Sequence, residues 1–80
     1  MTILAVFRSR AQTLDSVAAL KNAGIPASAV ATPKEAGVGC GISAKFEENF
    51  FARARFFLQK RPYASFSGFM RRTGDKFVYL

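Results

Sequence analysis

The chain has 80 residues, half of them hydrophobic, with nine Phe and two Tyr; it is long enough for one small core and too rich in apolar rings for a disordered segment. Twelve Lys and Arg against five Asp and Glu leave a net charge of +7, which draws polyanions or acidic proteins without choosing among them. One cysteine and no histidine argue against a disulfide-stapled scaffold, a Cys–His nucleophile pair and a metal-ligand cluster, and no apolar run approaches the ~20 residues of a membrane span.

Ile3-Leu4-Ala5-Val6-Phe7 is a continuous apolar run and reads as a strand buried on both faces. No basic region precedes it and no small-residue cleavage site follows, which, with the unpaired cysteine, sets the expectation of a cytoplasmic protein. Ser9 with Gln12 three residues on has the form of a capping box that opens a helix at Arg10. Leu14, Val17, Ala18 and Leu20 recur on one side as its expected core face, Gly24 suits the left-handed C′ position, and Pro26 prevents continuation. Ala27 to Ala31 reads as a short second strand and Pro33 to Gly39 as a loop. Ile42, Ala44 and Phe46 alternate with Ser43 and Lys45 as a third strand.

Glu47 and Glu48 favour the start of a second helix by complementing its dipole. Its stripe is Phe50, Phe51, Ala54, Phe57 and Leu58, and Arg61-Pro62 ends it. Tyr63 to Met70 reads as a fourth strand, Arg72-Thr73-Gly74-Asp75 as a turn, and Lys76 to Leu80 as a last strand folding back as a hairpin. The order β-α-β-β-α-β, with an extra C-terminal strand, predicts an α+β ferredoxin-like sandwich, a single domain over residues 1–80. In it, two helices cover one face of a mostly antiparallel sheet. A homodimer would supplement so small a core. The fold serves many functions, so function must be argued from a site.

Cys40 is the candidate. It stands in Gly37-Val38-Gly39-Cys40-Gly41, after Thr32-Pro33-Lys34-Glu35. Glycine on both sides leaves a thiol approachable, whereas buried structural cysteines usually sit among branched apolar residues. The bland reading is a small residue at a bend or bulge where a strand begins. A reactive thiol works as its thiolate, which nearby cations favour. Lys34 and Lys45 are the nearest in sequence, and Arg8 approaches if the first and third strands are neighbours; Glu35 acts against them. Backbone N–H groups from Gly39 to Ile42 could form an anion-binding nest. No second cysteine exists for an intramolecular disulfide, and Gly37-x-Gly39-x-Gly41 precedes a strand where a nucleotide fingerprint follows one.

Phe7-Arg8-Ser9, Leu20-Lys21-Asn22-Ala23-Gly24-Ile25-Pro26, Thr32-Pro33-Lys34-Glu35 and Gly39-Cys40-Gly41-Ile42, closing at Phe46, resemble the small bacterial family of selenium/sulfur carrier-like proteins. The resemblance covers about the first three fifths of the chain and is most specific from Thr32 to Ile42. It implies that Cys40 accepts and holds sulfur or selenium, making the protein a carrier more than an enzyme, with no cofactor and no metal. In that role Lys34 and the peptide groups around Gly39 and Gly41 favour the anion, and Pro33 and Glu35 shape the loop. The expected partner is an acidic protein such as a sulfur donor enzyme, with no membrane involved.

The alternative is a nucleic-acid or protein-binding module in which Cys40 is incidental. Ferredoxin-like RNA binders stack bases on sheet aromatics, and Tyr63, Phe66, Phe69, Phe77 and Tyr79 lie among Arg71, Arg72 and Lys76. Ser67-Gly68-Phe69-Met70 has part of an RNA-binding strand motif. Arg53, Phe56 and Lys60, on the outer side of the second helix, could instead dock an acidic partner. The competing reading of all these rings is that they fill a small core or a dimer interface.

Overall fold

The computed structural model describes residues 1–37 and 40–80. Among these residues five strands and two helices follow one another as β1 (Thr2–Phe7), α1 (Arg10–Asn22), β2 (Ser28–Ala31), β3 (Ile42–Glu47), α2 (Phe51–Gln59), β4 (Phe66–Thr73) and β5 (Lys76–Tyr79). The sheet order is β2-β3-β1-β4-β5 and every neighbouring pair is antiparallel. This is the ferredoxin-like sandwich with one added edge strand.

The apolar run in β1 places it at the centre, where both faces are covered. Residues alternate sides along a strand, so Ile3, Ala5 and Phe7 face the helices with Val17, Leu20, Ile25, Phe46, Ala54 and Leu58. Leu4 and Val6 face the other way, against Met70 and Ala36. That second core is closed by a 3₁₀ turn, Lys34–Ala36, within the segment expected to be plain loop. The turn reaches β5, where Tyr79 donates its hydroxyl to the Ala36 carbonyl at 2.8 Å.

The ends of α1 form as their residues dictate. The Gln12 N–H donates to Ser9 Oγ at 3.2 Å. The return bond of the capping box is relayed: Ser9 N–H donates to Ser65 Oγ, and Ser65 Oγ donates to Gln12 Oε1 at 2.6 Å. At the far end Gly24 has φ 81°, with Ile25 N–H bonded to the Leu20 carbonyl and Gly24 N–H to Lys21, a Schellman closure.

The face of α1 differs from expectation. Thr13, Ser16, Val17 and Leu20 are buried, while Leu14 is 47% exposed and Ala18 lies outside. Thr13 and Ser16 enter the core because their hydroxyls donate to the carbonyls of Ser9 and Thr13, which removes the cost of burying them. In α2, Ala54 and Leu58 are buried as expected, but Phe57 is 40% exposed. A 3₁₀ turn, Glu48–Phe50, precedes this helix, so it opens later than the paired glutamates suggest.

The fourth strand begins at Phe66, three residues after Tyr63, and continues to Thr73. Gly68 opposes Val6 while Phe66 opposes Phe7, which leaves Ser67 as the extra residue of a bulge. Gly74 (φ 64°) then starts the two-residue turn into β5.

Candidate functional site

Cys40 lies just before β3 and is half-buried. Its Sγ is 3.5 Å from Oγ1 of Thr13, in the first turns of α1. Thr13 Oγ1 also lies 3.0 Å from the Ser9 carbonyl and 3.5 Å from that of Ile42. A hydroxyl carries one proton. While that proton is on the Ser9 carbonyl, Thr13 accepts from the Cys40 S–H. When sulfur is anionic, the same proton can turn to it, and the Ser9 carbonyl keeps the Thr13 N–H at 3.0 Å. Thr13 therefore serves both states of the sulfur without a rearrangement of the backbone.

Gly41 has φ 86° and is exposed, and none of the described residues comes near the place a Cβ would occupy. Glycine is needed there for the backbone turn and not for space. The Thr32 N–H donates to the Gly41 carbonyl at 3.0 Å, and Thr32 Oγ1 lies 2.7 Å from Ser43 Oγ, so the base of the loop is pinned. Gly39, expected to help hold an anion, and its neighbour Val38 lie outside the described residues.

The remaining expected residues divide. β1 and β3 are neighbours, with Val6 opposite Ser43 as the last pair of the ladder, so Arg8 follows β1 at the end where β3 begins. Arg8, exposed, therefore lies at the same end of the sheet as Cys40. Lys45 opposes Leu4 and Ser28 in the middle of the sheet, five residues or about 16 Å along the strand from Cys40. Pro33 (φ −67°) precedes the 3₁₀ turn, whose first residue, Lys34, is exposed. Glu35 is directed at β5, where its Oε2 accepts the Phe77 N–H at 3.2 Å. Its own backbone N–H, then that of Phe77, holds the Glu35 carboxyl below the ordinary range. Glu35 therefore anchors the loop to the edge strand.

The rings do not form a stacking surface. Phe69 packs into the helix-side core, Phe66 lies against Phe7 and Phe69, and Tyr63 meets Phe7 edge-on. Phe77 is half-buried in the second core, and Tyr79 reaches over to Ala36. On the outer side of α2, Arg53 donates to the Ala23 carbonyl at 2.9 Å and so completes the end of α1. Lys60 Nζ sits 4.0 Å from the centre of the Phe56 ring.

A cavity of about 200 Å³ lies between the end of α2 and the start of β4. It is lined by Leu58, Gln59, Arg61, Tyr63, Phe66 and Phe69, and not by Cys40. Among the described residues no three His, Cys, Asp or Glu side chains gather as metal ligands, and no helix is long and apolar enough to cross a membrane.

Sequence reasoning missed Thr13. Its signal was the spacing Thr13, Ser16, Val17, Leu20, which matches the i, i+3, i+4, i+7 pattern of a buried face once hydroxyl residues are admitted to it. A family model described as Putative Se/S carrier protein-like matches residues 2–64. No curated protein and no solved structure matches the chain.

Proposed function

Because this chain belongs to the Putative Se/S carrier protein-like family, we propose that it carries sulfur or selenium on Cys40 between partner proteins. The observation that carries this reading is a half-exposed thiol, the only one in the chain, standing at the mouth of β3 beside a buried hydroxyl. The Cys40 thiolate attacks the outer sulfur of a donor persulfide. That sulfur's bond to the donor breaks, the donor leaves as its thiolate, and Cys40 becomes a persulfide. No oxidant, reductant or cofactor enters this exchange, and the chain acts as a carrier and not as an enzyme.

Thr13 supplies a hydrogen bond to the sulfur anion, and Gly41 sets the turn that presents it. Arg8 adds positive charge at the same end of the sheet, and Lys34 adds more from the returning loop. Pro33 and Glu35 hold that loop's shape, while the Gly39 peptide group is the remaining candidate donor. The donor is an acidic protein, in keeping with a net charge of +7. The setting is the cytoplasm. A homodimer would cover exposed Leu14, Phe56 and Phe57 of the helical layer, which sedimentation would register as a doubled mass.

The test is incubation with a low-molecular-weight persulfide followed by intact mass measurement. The wild-type chain should gain one sulfur, and Cys40→Ser should gain none with its thermal unfolding unchanged. Thr13→Val should accept sulfur more slowly. A Cys40→Ser protein that still gains sulfur, or a wild type that gains none, would overturn the reading.

A further inference from the structure

Strand directions give the sandwich two ends. The end of β1, the start of α1, the start of β3 and the end of α2 lie together at one end, with Cys40. Arg8, Arg10 and Lys60 are exposed there. The start of β1, the end of β3 and the β4–β5 turn lie at the opposite end, where Glu47, Glu48 and Asp75 stand among the N-terminal amine, Arg71, Arg72 and Lys76; Glu47 pairs with the amine at 3.6 Å and Glu48 with Arg71 at 3.5 Å. The two remaining acids are engaged: Asp15 accepts the Tyr63 hydroxyl at 2.6 Å, and Glu35 accepts the Phe77 N–H. Among the described residues no carboxylate pairs with Arg8, Arg10 or Lys60, so Cys40 opens onto an end that keeps these three positive charges.

We propose that this end is a docking surface for an acidic protein, the partner that exchanges sulfur with Cys40. The inference rests on the carrier reading and adds the chemistry and place of the partner's contact. Opposite charge around two sulfurs that must touch raises their encounter rate, and it rejects basic surfaces. Nucleic acid fits less well. The helix-free sheet face, where a ferredoxin-like domain would stack bases, is closed by Ala36 over Leu4, Val6 and Met70. The Phe56 ring near this end already carries Lys60 on one face.

The experiment uses the intact protein and peptide disulfides alike except that glutamates, serines or lysines flank the cysteine. Release of the leaving thiol gives the exchange rate with Cys40, each divided by the rate with a small free thiol. Comparing peptides at one pH cancels the ionisation of the attacking thiol. The glutamate peptide should exceed the lysine peptide by about tenfold at low salt. The ratio should collapse where the screening length is only ~3 Å, in about 1 M salt.

Arg8→Glu with Arg10→Glu should return the ratio to that of the free thiol. With the ratio read at physiological salt, Lys21→Glu, about 16 Å along α1 from Arg10 and so two screening lengths away, should leave it unchanged. A wild-type ratio no different from the free thiol's would overturn the docking surface, whether or not Cys40 accepts sulfur. Binding of an RNA oligonucleotide that the same charge reversals abolish would make nucleic acid the occupant and overturn it too. A retained ratio in a protein that accepts no sulfur would sink the carrier reading and leave the acidic-protein surface standing.

Discussion

The Tyr63 phenol is half-buried and donates to Asp15 Oδ2, while Arg61 Nε donates to the phenol oxygen at 3.0 Å. Burial, followed by the bond to the Asp15 carboxylate, pushes its pKa up from 10.0 to about 12. The neutral form is therefore bound more tightly in the folded chain than in the unfolded one. The resulting stabilisation is complete below the unfolded value of 10.0 and is lost as pH rises through about 12. Urea unfolding across that window should show the wild type losing stability more steeply than Tyr63→Phe, which has no proton there to lose. Parallel curves for the two proteins would refute the cause. Cys40 and Thr13 obey a related rule, in which one buried proton is within reach of the Ser9 and Ile42 carbonyls and of the sulfur, and the state of the sulfur decides among them.

In β4 the bulge falls at Ser67, and the glycine after it lies against the Tyr79 ring of β5. Gly68 has φ 149°, and a Cβ there would stand 3.1 Å from the Tyr79 ring. Gly68→Ala should cost about 1–3 kcal/mol through backbone strain and crowding together. Ser67 is the opposite case, since its buried Oγ has no hydrogen-bond partner among the described residues. Ser67→Ala should be neutral or slightly stabilising, because it removes an unsatisfied polar atom. Thermal unfolding of the two variants tests both statements. A silent Gly68→Ala, or a Ser67→Ala that loses more than about 1 kcal/mol, would contradict this account.

At the scale of the whole molecule, the family match ends at residue 64 while β4 and β5 lie beyond it. Those strands nevertheless hold the loop that leads to Cys40. Glu35 meets the Phe77 N–H and Tyr79 meets the Ala36 carbonyl, contacts that span more than 40 residues of chain. Glu35→Ala combined with Tyr79→Phe should speed hydrogen exchange at the Ala36 and Gly37 amides, both bonded within the 3₁₀ turn. The amides of β1 should be unaffected. Equal exchange in wild type and variant would show that the turn stands without β5. Because the Glu35 pKa is lowered, its share of this anchor is present above the unfolded value and lost as pH falls through the folded one.

Local chemistry was enough to read the order of elements, both ends of α1 and the central place of β1. Ser9, Gly24 and the apolar run from Ile3 to Phe7 act through their own backbone or their nearest turn. The cysteine was legible for the same reason, since its glycine flanks are contiguous with it. Which residues of α1 are buried was not legible from hydrophobicity. Thr13 and Ser16 enter the core only by finding carbonyl partners one turn back, whereas Leu14 has the right character and the wrong side. The surroundings of Cys40 are tertiary: Thr13 is 27 residues away, and strand pairing brings the end of β1 to the start of β3. Glu35, a neighbour in sequence, is drawn off by β5. Contacts set by a turn of helix are written in adjacent residues, and contacts made by closing a sheet exist only once distant strands have paired.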